Sequence, residues 1–258
     1  MKEYALVTGA SKGIGRSIAL QLARSGHNLL LASRSETELQ QLAELIKKDH
    51  KVNVHYLPLD LSNNGAASKL YDWCKDLMVP VSILINNAGF GAWGNFEELD
   101  LKEQMKMLNL NINAVVELTH FLLPELRKQE EAFILNVSST AAYQAVPTLA
   151  LYSASKAFVL SFSRALRYEL KDTTISLSCL CPGPTDTGFA HRAGMDALAE
   201  LAAKFNMPAN EVAQIGLKGM FRKKAEIVPG FLNKISGFAS RHISKSIIER
   251  ITAGLYKQ

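Results

Sequence analysis

Six short apolar runs, each followed by a stretch of different rhythm, constrain this chain more than any other feature. They are 4–8 (YALVT), 28–33 (NLLLAS), 52–59 (VNVHYLPL), 81–87 (VSILINN), 133–138 (FILNVS) and 175–181 (ISLSCLC), with 227–229 (IVP) as a candidate edge. A strand wetted on one face alternates apolar and polar residues. Several of these runs are nearly continuous, as strands covered on both faces are. Between them, Ile14, Ile18, Leu22 and Ala23 recur at helical spacing over 14–25, and Leu39, Leu42 and Ile46 do so over 35–48. Longer helices are expected over 101–127 and 154–171. Strand and helix alternating in this way predict right-handed βαβ units. The expected fold is therefore α/β, a doubly wound (Rossmann) parallel sheet of about seven strands flanked by helices. At 258 residues and 48% hydrophobic content, without repeats or linkers, residues 1–258 read as a single domain.

Several classes are excluded at this level. No apolar run approaches the ~18 residues of a membrane span. The opening MKEYALVTGA has no secretory apolar core and enters a strand at once. Cys74, Cys179 and Cys181 are too few and too scattered for a disulfide framework or a zinc site. A reducing cytoplasm and no metal are expected. From Arg222 onward there are eight basic and two acidic residues, so the net charge of +5 belongs to the tail. The rest of the chain offers no basic surface for nucleic acid.

After the first run comes TGASKGIG, Thr8–Gly15, opening the first helix. Gly9 allows a tight turn, Gly13 lets the backbone approach a phosphate, and Gly15 lets helix and sheet pack closely, with Ser11, Lys12 and Ile14 between them. The helix N-terminus then presents free N–H groups and a positive dipole to a pyrophosphate. The spacing, G-x-x-x-G-x-G, differs from the G-x-G-x-x-G dinucleotide pattern, and a βα turn can need glycine for its backbone alone. An acid at the end of the second strand would accept from the ribose 2′-hydroxyl of NAD. This chain has Ser33 and Arg34 there, with Lys12 in the loop. Cations attract a 2′-phosphate and Arg can bind one bidentately, so NADP(H) is favoured. Glu36 keeps NAD(H) open.

Further stretches fall into order: LDLS (59–62), NNAG (86–89), NINA (111–114), the serine pair 138–139 and YSASK (152–156). Together with the glycine loop, and over residues 3 to 190, they resemble the motif set of the short-chain dehydrogenase/reductase family. The resemblance implies that Asn111, Ser139, Tyr152 and Lys156 form a catalytic tetrad, Asn111 kinking its helix and holding a water that leads to Lys156. It implies that Asp60 and the Leu61 backbone contact the adenine, and that Asn87, Ala88 and Gly89 border the adenine ribose. Tyr152 and Lys156 then also touch the cofactor. CPGPTDTGF (181–189) resembles the stretch that clasps the nicotinamide, with Pro182 and Gly183 turning the chain and Thr187 on the carboxamide. Thr185 lies among positions where relatives vary.

The residues themselves suit that chemistry. A carbonyl that receives a hydride becomes an alkoxide and needs a proton. Tyr152 can supply one if a nearby positive charge lowers its phenol pKa, and Lys156 stands one helical turn away. Ser139 can hold the substrate oxygen. The small Ser153, Ala154 and Ser155 leave room for cofactor and helix packing. Taken singly, each of these residues also has a purely structural reading.

Substrate-facing residues are expected from three loops. Phe90, Trp93 and Phe96 come from 90–96, Tyr143 from 140–151, and Phe189 from 188–205, which the family resemblance implies acts as a lid; His191 and Arg192 there read either as contacts for an acidic group or as solvated charges. An apolar carbonyl compound or secondary alcohol is the expected substrate. The 231–258 tail sets Ile243, Ile247, Ile251 and Leu255 at four-residue intervals, after Phe231, Ile235 and Phe238. It reads as a basic amphipathic segment, open to membrane-surface contact, a subunit interface or docking on its own domain. The resemblance implies a homodimer or homotetramer. The alternative function is a non-catalytic NADP-binding redox sensor.

Overall fold

All six apolar runs are strands of one parallel sheet. The computed structural model describes residues 3–195 and 206–235, and in the tail 244, 247, 249–250 and 253–254. The strands are β1 (Tyr4–Thr8), β2 (Asn28–Ser33), β3 (Val54–Pro58), β4 (Val81–Asn86), β5 (Ala132–Val137), β6 (Ile175–Leu180) and an edge β9 (Glu226–Ile227). Their order is β3-β2-β1-β4-β5-β6-β9, the doubly wound arrangement with its reversal between β1 and β4. A separate parallel pair joins β7 (Thr185–Asp186) to β8 (Met207–Pro208).

Burial on both faces explains the continuous runs. On one face Leu6, Leu30, Leu84, Ile134 and Leu177 pack under Leu70, Met107, Leu118 and Tyr152. On the other, Val7, Leu29, Leu31, Ile85 and Leu135 meet Ile18, Leu22, Leu39, Leu42, Val212 and Met220. The second layer is carried by α1 (Gly13–Arg24), α2 (Glu36–Asp49) and α8 (Ala209–Phe221). The first is carried by α3 (Ala66–Asp76), α4 (Leu101–Leu108), α5 (Ala114–Leu126) and α6 (Ala150–Glu169).

Helices α3 and α8 are not among the expected elements. The buried face of α3 is Ala66, Ala67, Leu70 and Cys74, and that of α8 includes Ala213, Gly216 and Gly219. Small residues make a weak hydrophobic stripe, yet here they permit close approach: Cβ atoms on Gly216 and Gly219 would strike Leu180 and Ile227. The expected helix 101–127 is also not uniform. Asn109–Asn113 form a π-helical turn between α4 and α5, placing Asn111 at the irregularity. Helix α6 begins four residues earlier than expected, so Tyr152 lies in its first turn.

Candidate active site

The loops after β1, β2, β4, β5 and β6 lie at one end of the parallel sheet, the carboxyl end, and carry most of the predicted residues. At β1, Gly9 and Gly13 take positive φ angles of 64° and 53°. A Cβ on Gly13 would lie 2.7 Å from that of Thr187, and one on Gly15 would collide with the Gly9 carbonyl. Lys12 precedes α1 without a side-chain cap, and the helix has no acid in its first turn. Its opening N–H groups therefore suit an anionic ligand.

Thr8, absent from the sequence-derived site, fastens this loop to the next motif. Its Oγ1 donates to Ile85 O at 3.1 Å and accepts from the N–H groups of Asn87 (3.0 Å) and Ala88 (3.1 Å). Asn87 Nδ2 returns to Thr8 O at 2.9 Å and Gly9 O at 3.2 Å. Below lies a buried polar ladder: Asn86 Nδ2 donates to Asn136 Oδ1 (2.9 Å) and Thr119 Oγ1 (3.1 Å), and Asn136 Nδ2 to Ser163 Oγ (3.0 Å).

Three elements carry the proposed proton-handling residues: the π-helical turn, the end of β5 and α6. Asn111 is fully buried; its Nδ2 donates to Phe90 O at 3.0 Å and to Ser155 Oγ at 3.1 Å, while its Oδ1 accepts from Phe90 N at 3.2 Å. Lys156 is 5% exposed, and its Nζ donates to Val137 O at 3.0 Å, 5.9 Å from the centre of the Tyr152 ring. Burial pushes its ammonium pKa down to about 8. Ser138 Oγ ties the Lys156 carbonyl to the end of β5 at 2.7 Å. Ser139 Oγ accepts from Ala141 N at 3.1 Å, which leaves its O–H as a donor. A Cβ on Gly89 would lie 3.0 Å from Asn111 Oδ1 and 3.2 Å from Lys156 Nζ, so this glycine opens the space those two groups share.

At the β2 end, Ser33 Oγ is buried without a hydrogen-bond partner, and Arg34 beside it is exposed. Lys12 faces water and pairs with Glu38 at 2.7 Å. The acid that approaches this corner is thus Glu38, two residues beyond Glu36. Hydrogen bonding from Lys12 holds its carboxyl below the ordinary value. Asp60 accepts from Ser62 N (3.0 Å) and Ser62 Oγ (2.7 Å). Burial pushes the Asp60 carboxyl up, but the two Ser62 bonds and the charges of Arg34 and Arg192 outweigh it, and the net shift is downward. Leu61 is buried beside it.

After β6, Pro182 O accepts from Thr140 N at 2.9 Å, Thr185 Oγ1 donates to Gly183 O at 2.9 Å, and Thr187 Oγ1 donates to Thr185 O at 3.3 Å. Gly183 has no room for a side chain because the Asn233 carboxamide fills that position.

Some expectations need correction. Tyr143 does not face the pocket: its hydroxyl donates to Glu226 Oε1 at 2.7 Å, at the β9 edge. Phe96, though 60% exposed, lines a small cavity with Ala92, Gln104, Met107 and Leu151. Phe189 stands beside Tyr152, ring centroids 5.3 Å apart, and Gly91 lies against both. Ala154 is turned to solvent, while Ser155 does more than make room: it accepts from Asn111 and donates to Tyr152 O at 2.7 Å. Of the expected lid, only 188–195 is described, with a short helix α7 (Phe189–Arg192); residues 196–205 lie outside the described residues. In the tail, Phe238, Ile243, Ile251 and Leu255 likewise lie outside them. Among the described residues no three His, Cys, Asp or Glu are grouped to hold a metal, and no helix is long and apolar enough to cross a membrane.

The glycine cradle, the uncapped helix start and the unpartnered Ser33 hydroxyl fit a dinucleotide, and the fold and site define a nicotinamide-dependent oxidoreductase. Comparison with known proteins narrows the class. A family model described as short chain dehydrogenase matches residues 3–198. The ketoacyl reductase HetN of Nostoc sp. is 35% identical over 178 residues, covering 69% of this chain and 62% of that protein. The mouse 17-beta-hydroxysteroid dehydrogenase type 3 is 31% identical over 239 residues, 91% of this chain and 77% of that one. A short-chain dehydrogenase from Sphingobium yanoikuyae, solved in complex with NADPH, superposes with a TM-score of 0.83 at 26% identity, covering 95% of this chain and 94% of the other. The chain belongs to the short-chain dehydrogenase/reductase family.

Proposed function

We propose that this protein transfers a hydride between NADP(H) and an apolar carbonyl compound or secondary alcohol, with Tyr152 as general acid and base. The observation that carries this reading is the buried Lys156 ammonium, held by Val137 O near the Tyr152 ring. A positive charge at that position favours the phenolate and makes Tyr152 a stronger acid. When bound, the nicotinamide supplies or takes the hydride. Ser139 donates its O–H to the substrate oxygen and holds it beside Tyr152. Tyr152 gives that oxygen its proton. Lys156 stays charged while the phenolate exists, and Asn111 holds a water leading to it.

Cofactor contacts are assigned to Gly9, Ser11, Lys12, Gly13, Ile14 and Gly15 on the pyrophosphate side, and to Ser33, Arg34, Asp60 and Leu61 on the adenosine side. Asn87, Ala88 and Gly89 form the floor, and Pro182, Gly183, Thr185 and Thr187 the nicotinamide end. The NADP(H) preference is supported by Arg34 and by the unpartnered Ser33 hydroxyl. Carbonyl substrates are supported by relatives named as a ketoacyl reductase and a hydroxysteroid dehydrogenase, and an apolar one by the Phe189 ring beside Tyr152. A homodimer or homotetramer built on α4–α5 and α6 is supported by the exposed Leu101, Met105, Phe158 and Tyr168. The compartment is the cytoplasm.

The reading is tested with Tyr152→Phe in a screen of ketones and secondary alcohols followed by NADPH absorbance. Loss of about 100-fold or more in rate, with NADPH still bound, is the expected result. Retention within about tenfold removes Tyr152 from proton transfer. Tight NADPH binding without turnover of any carbonyl by the unmodified protein favours the redox-sensor alternative.

A further inference from the structure

Tyr143 closes the 3-10 turn Thr140–Tyr143, which opens directly after Ser139. The near end of that turn is fastened through its backbone. Ser138 N donates to Leu180 O at 2.7 Å, Thr140 N donates to Pro182 O at 2.9 Å, and Ser139 O accepts from Ala142 N at 3.1 Å. Past its far end the chain runs on through an extended Gln144. There the Tyr143 hydroxyl reaches across to β9 and donates to Glu226 Oε1 at 2.7 Å. Tyr143 and Ala142 pack against the buried cluster of Leu160, Cys179 and Cys181, which joins α6 to the end of β6.

Glu226 has a second partner. Arg164 Nη1 donates to Glu226 Oε2 at 3.0 Å, and Arg164 belongs to α6, about two turns beyond Lys156. One carboxylate thus links the turn behind Ser139 to the helix of Tyr152 and Lys156. Glu226 is itself seated in the sheet, opposite Cys179 in the β6–β9 register. Cys179 N donates to Ala225 O at 2.9 Å and Cys181 N to Ile227 O at 2.8 Å on either side of it. The Glu226 side chain is 20% exposed, against 57% for Arg164. A hydrogen bond to an ionised, shielded acceptor is of the stronger kind, whereas an exposed ion pair contributes little. The phenol bond is therefore the firm half of the link, and Arg164 orients the carboxylate. Burial, with Cys181 and Glu226 beside it, pushes the Tyr143 phenol pKa up, so it remains a donor.

We propose that Tyr143 is a positioning residue for the reaction: its anchor on Glu226 holds the turn that presents the Ser139 hydroxyl at a set place relative to Tyr152 and Lys156 on α6. The hydroxyls of Ser139 and Tyr152 must meet at one substrate oxygen, so the seat of the turn against α6 decides whether they do. Tyr143 touches neither substrate nor cofactor; it acts through Ser139. The inference rests on the hydride-transfer reading given above, in which Ser139 donates to the substrate oxygen.

The test is steady-state kinetics of Tyr143→Phe, Ser139→Ala and the double variant, with the ketone reduced fastest in the screen above and with NADPH varied. Phe keeps the ring on its buried cluster and removes only the anchor. Displacement of the turn should lower kcat about tenfold while the KM for NADPH stays within about twofold. In the Ser139→Ala background the same change should cost less than about twofold, because the group it positions is gone. A general loosening of the fold would instead cost the same factor in both backgrounds. Glu226→Ala, which removes the acceptor in place of the donor, should show the same split between kcat and KM. An unchanged kcat in either Tyr143→Phe or Glu226→Ala, or an equal fall with and without Ser139, overturns this inference alone. A kcat unaffected by Ser139→Ala removes Ser139 from the reaction and this inference with it. An unmodified protein that reduces no ketone overturns the hydride-transfer reading as well.

Discussion

One carboxamide holds both polar groups of one residue: Asn111 donates to Phe90 O at 3.0 Å and accepts from Phe90 N at 3.2 Å. Both partners are buried, and the same Nδ2 also reaches Ser155 at 3.1 Å. Replacing Asn111 with Ala leaves a buried N–H and C=O unpaired, at a cost of about 1–3 kcal/mol each. We expect Asn111→Ala to lower unfolding free energy by about 2 kcal/mol or more in urea denaturation. Turnover should also fall. A stability change no larger than that of an exposed substitution, about 0.5 kcal/mol, would show that Phe90 does not depend on Asn111.

Lys156 makes a pH-dependent prediction. Its folded pKa of about 8 lies below the ordinary 10.5, because burial disfavours the charged form. Between these values the unfolded chain binds more protons than the folded one, so folding stability rises with pH across that window. Below pH 8 the folded protein bears the full cost of the buried charge, on the order of 3 kcal/mol. Lys156→Met, which carries no such charge, should be inactive yet more stable than the parent at pH 7. Its advantage should shrink as pH rises from 8 to 10.5. Melting curves at several pH values check this, and an advantage that is constant with pH would contradict it.

The glycine loop gives a steric prediction. A Cβ on Gly13 would lie 2.7 Å from Thr187 Cβ and 2.8 Å from its methyl. Gly13→Ala should weaken NADPH binding by about tenfold, since loop and clasp must separate. In a Thr187→Gly background the same change should cost distinctly less. What remains is the positive φ of 53°, roughly 1 kcal/mol of backbone strain for Ala. A double-mutant cycle in NADPH affinity measures the difference, and strict additivity would show that the two residues do not meet when the cofactor is bound.

These residues also show what was readable in the chain. The sheet was legible because strands buried on both faces have nowhere to hide their apolar composition, and Leu29–Leu31 or Ile83–Ile85 state it directly. The glycine loop and YSASK were legible because φ near +60° and a Tyr–Lys pair one turn apart are specific demands. Helix α8 was not, because its packing face uses Gly216 and Gly219, whose contribution is the absence of a side chain. Thr8 and Ser155 were missed because a hydroxyl acts only through partners distant in sequence, here Ile85, Asn87 and Asn111. Tyr143 was misplaced because loop aromatics carry no periodicity that says which way they turn. Glu38 rather than Glu36 reaches Lys12 because side-chain reach from the first turn of α2 decides the matter.

Among the described residues, the start of the tail touches the site at Asn233. The Asn233 carboxamide fills the space at Gly183, in the turn after β6, and its Nδ2 donates to Pro229 O at 2.8 Å. Phe231 and Leu232, on the same turn of helix, are 75% and 68% exposed, so Asn233 is the inward-facing member of that turn. Its loss should loosen the turn carrying Pro182 and Gly183 without touching Tyr152 or Lys156. We expect Asn233→Ala to raise the KM for the cofactor several-fold while kcat stays within roughly threefold, the pattern of lost uniform binding. Asn233→Gln, which keeps the amide but lengthens the side chain, should be no better than Ala, because the space beside Gly183 has no spare volume. Steady-state kinetics with NADPH varied decide it, and a fall in kcat at unchanged KM would place the effect of Asn233 in the chemical step instead.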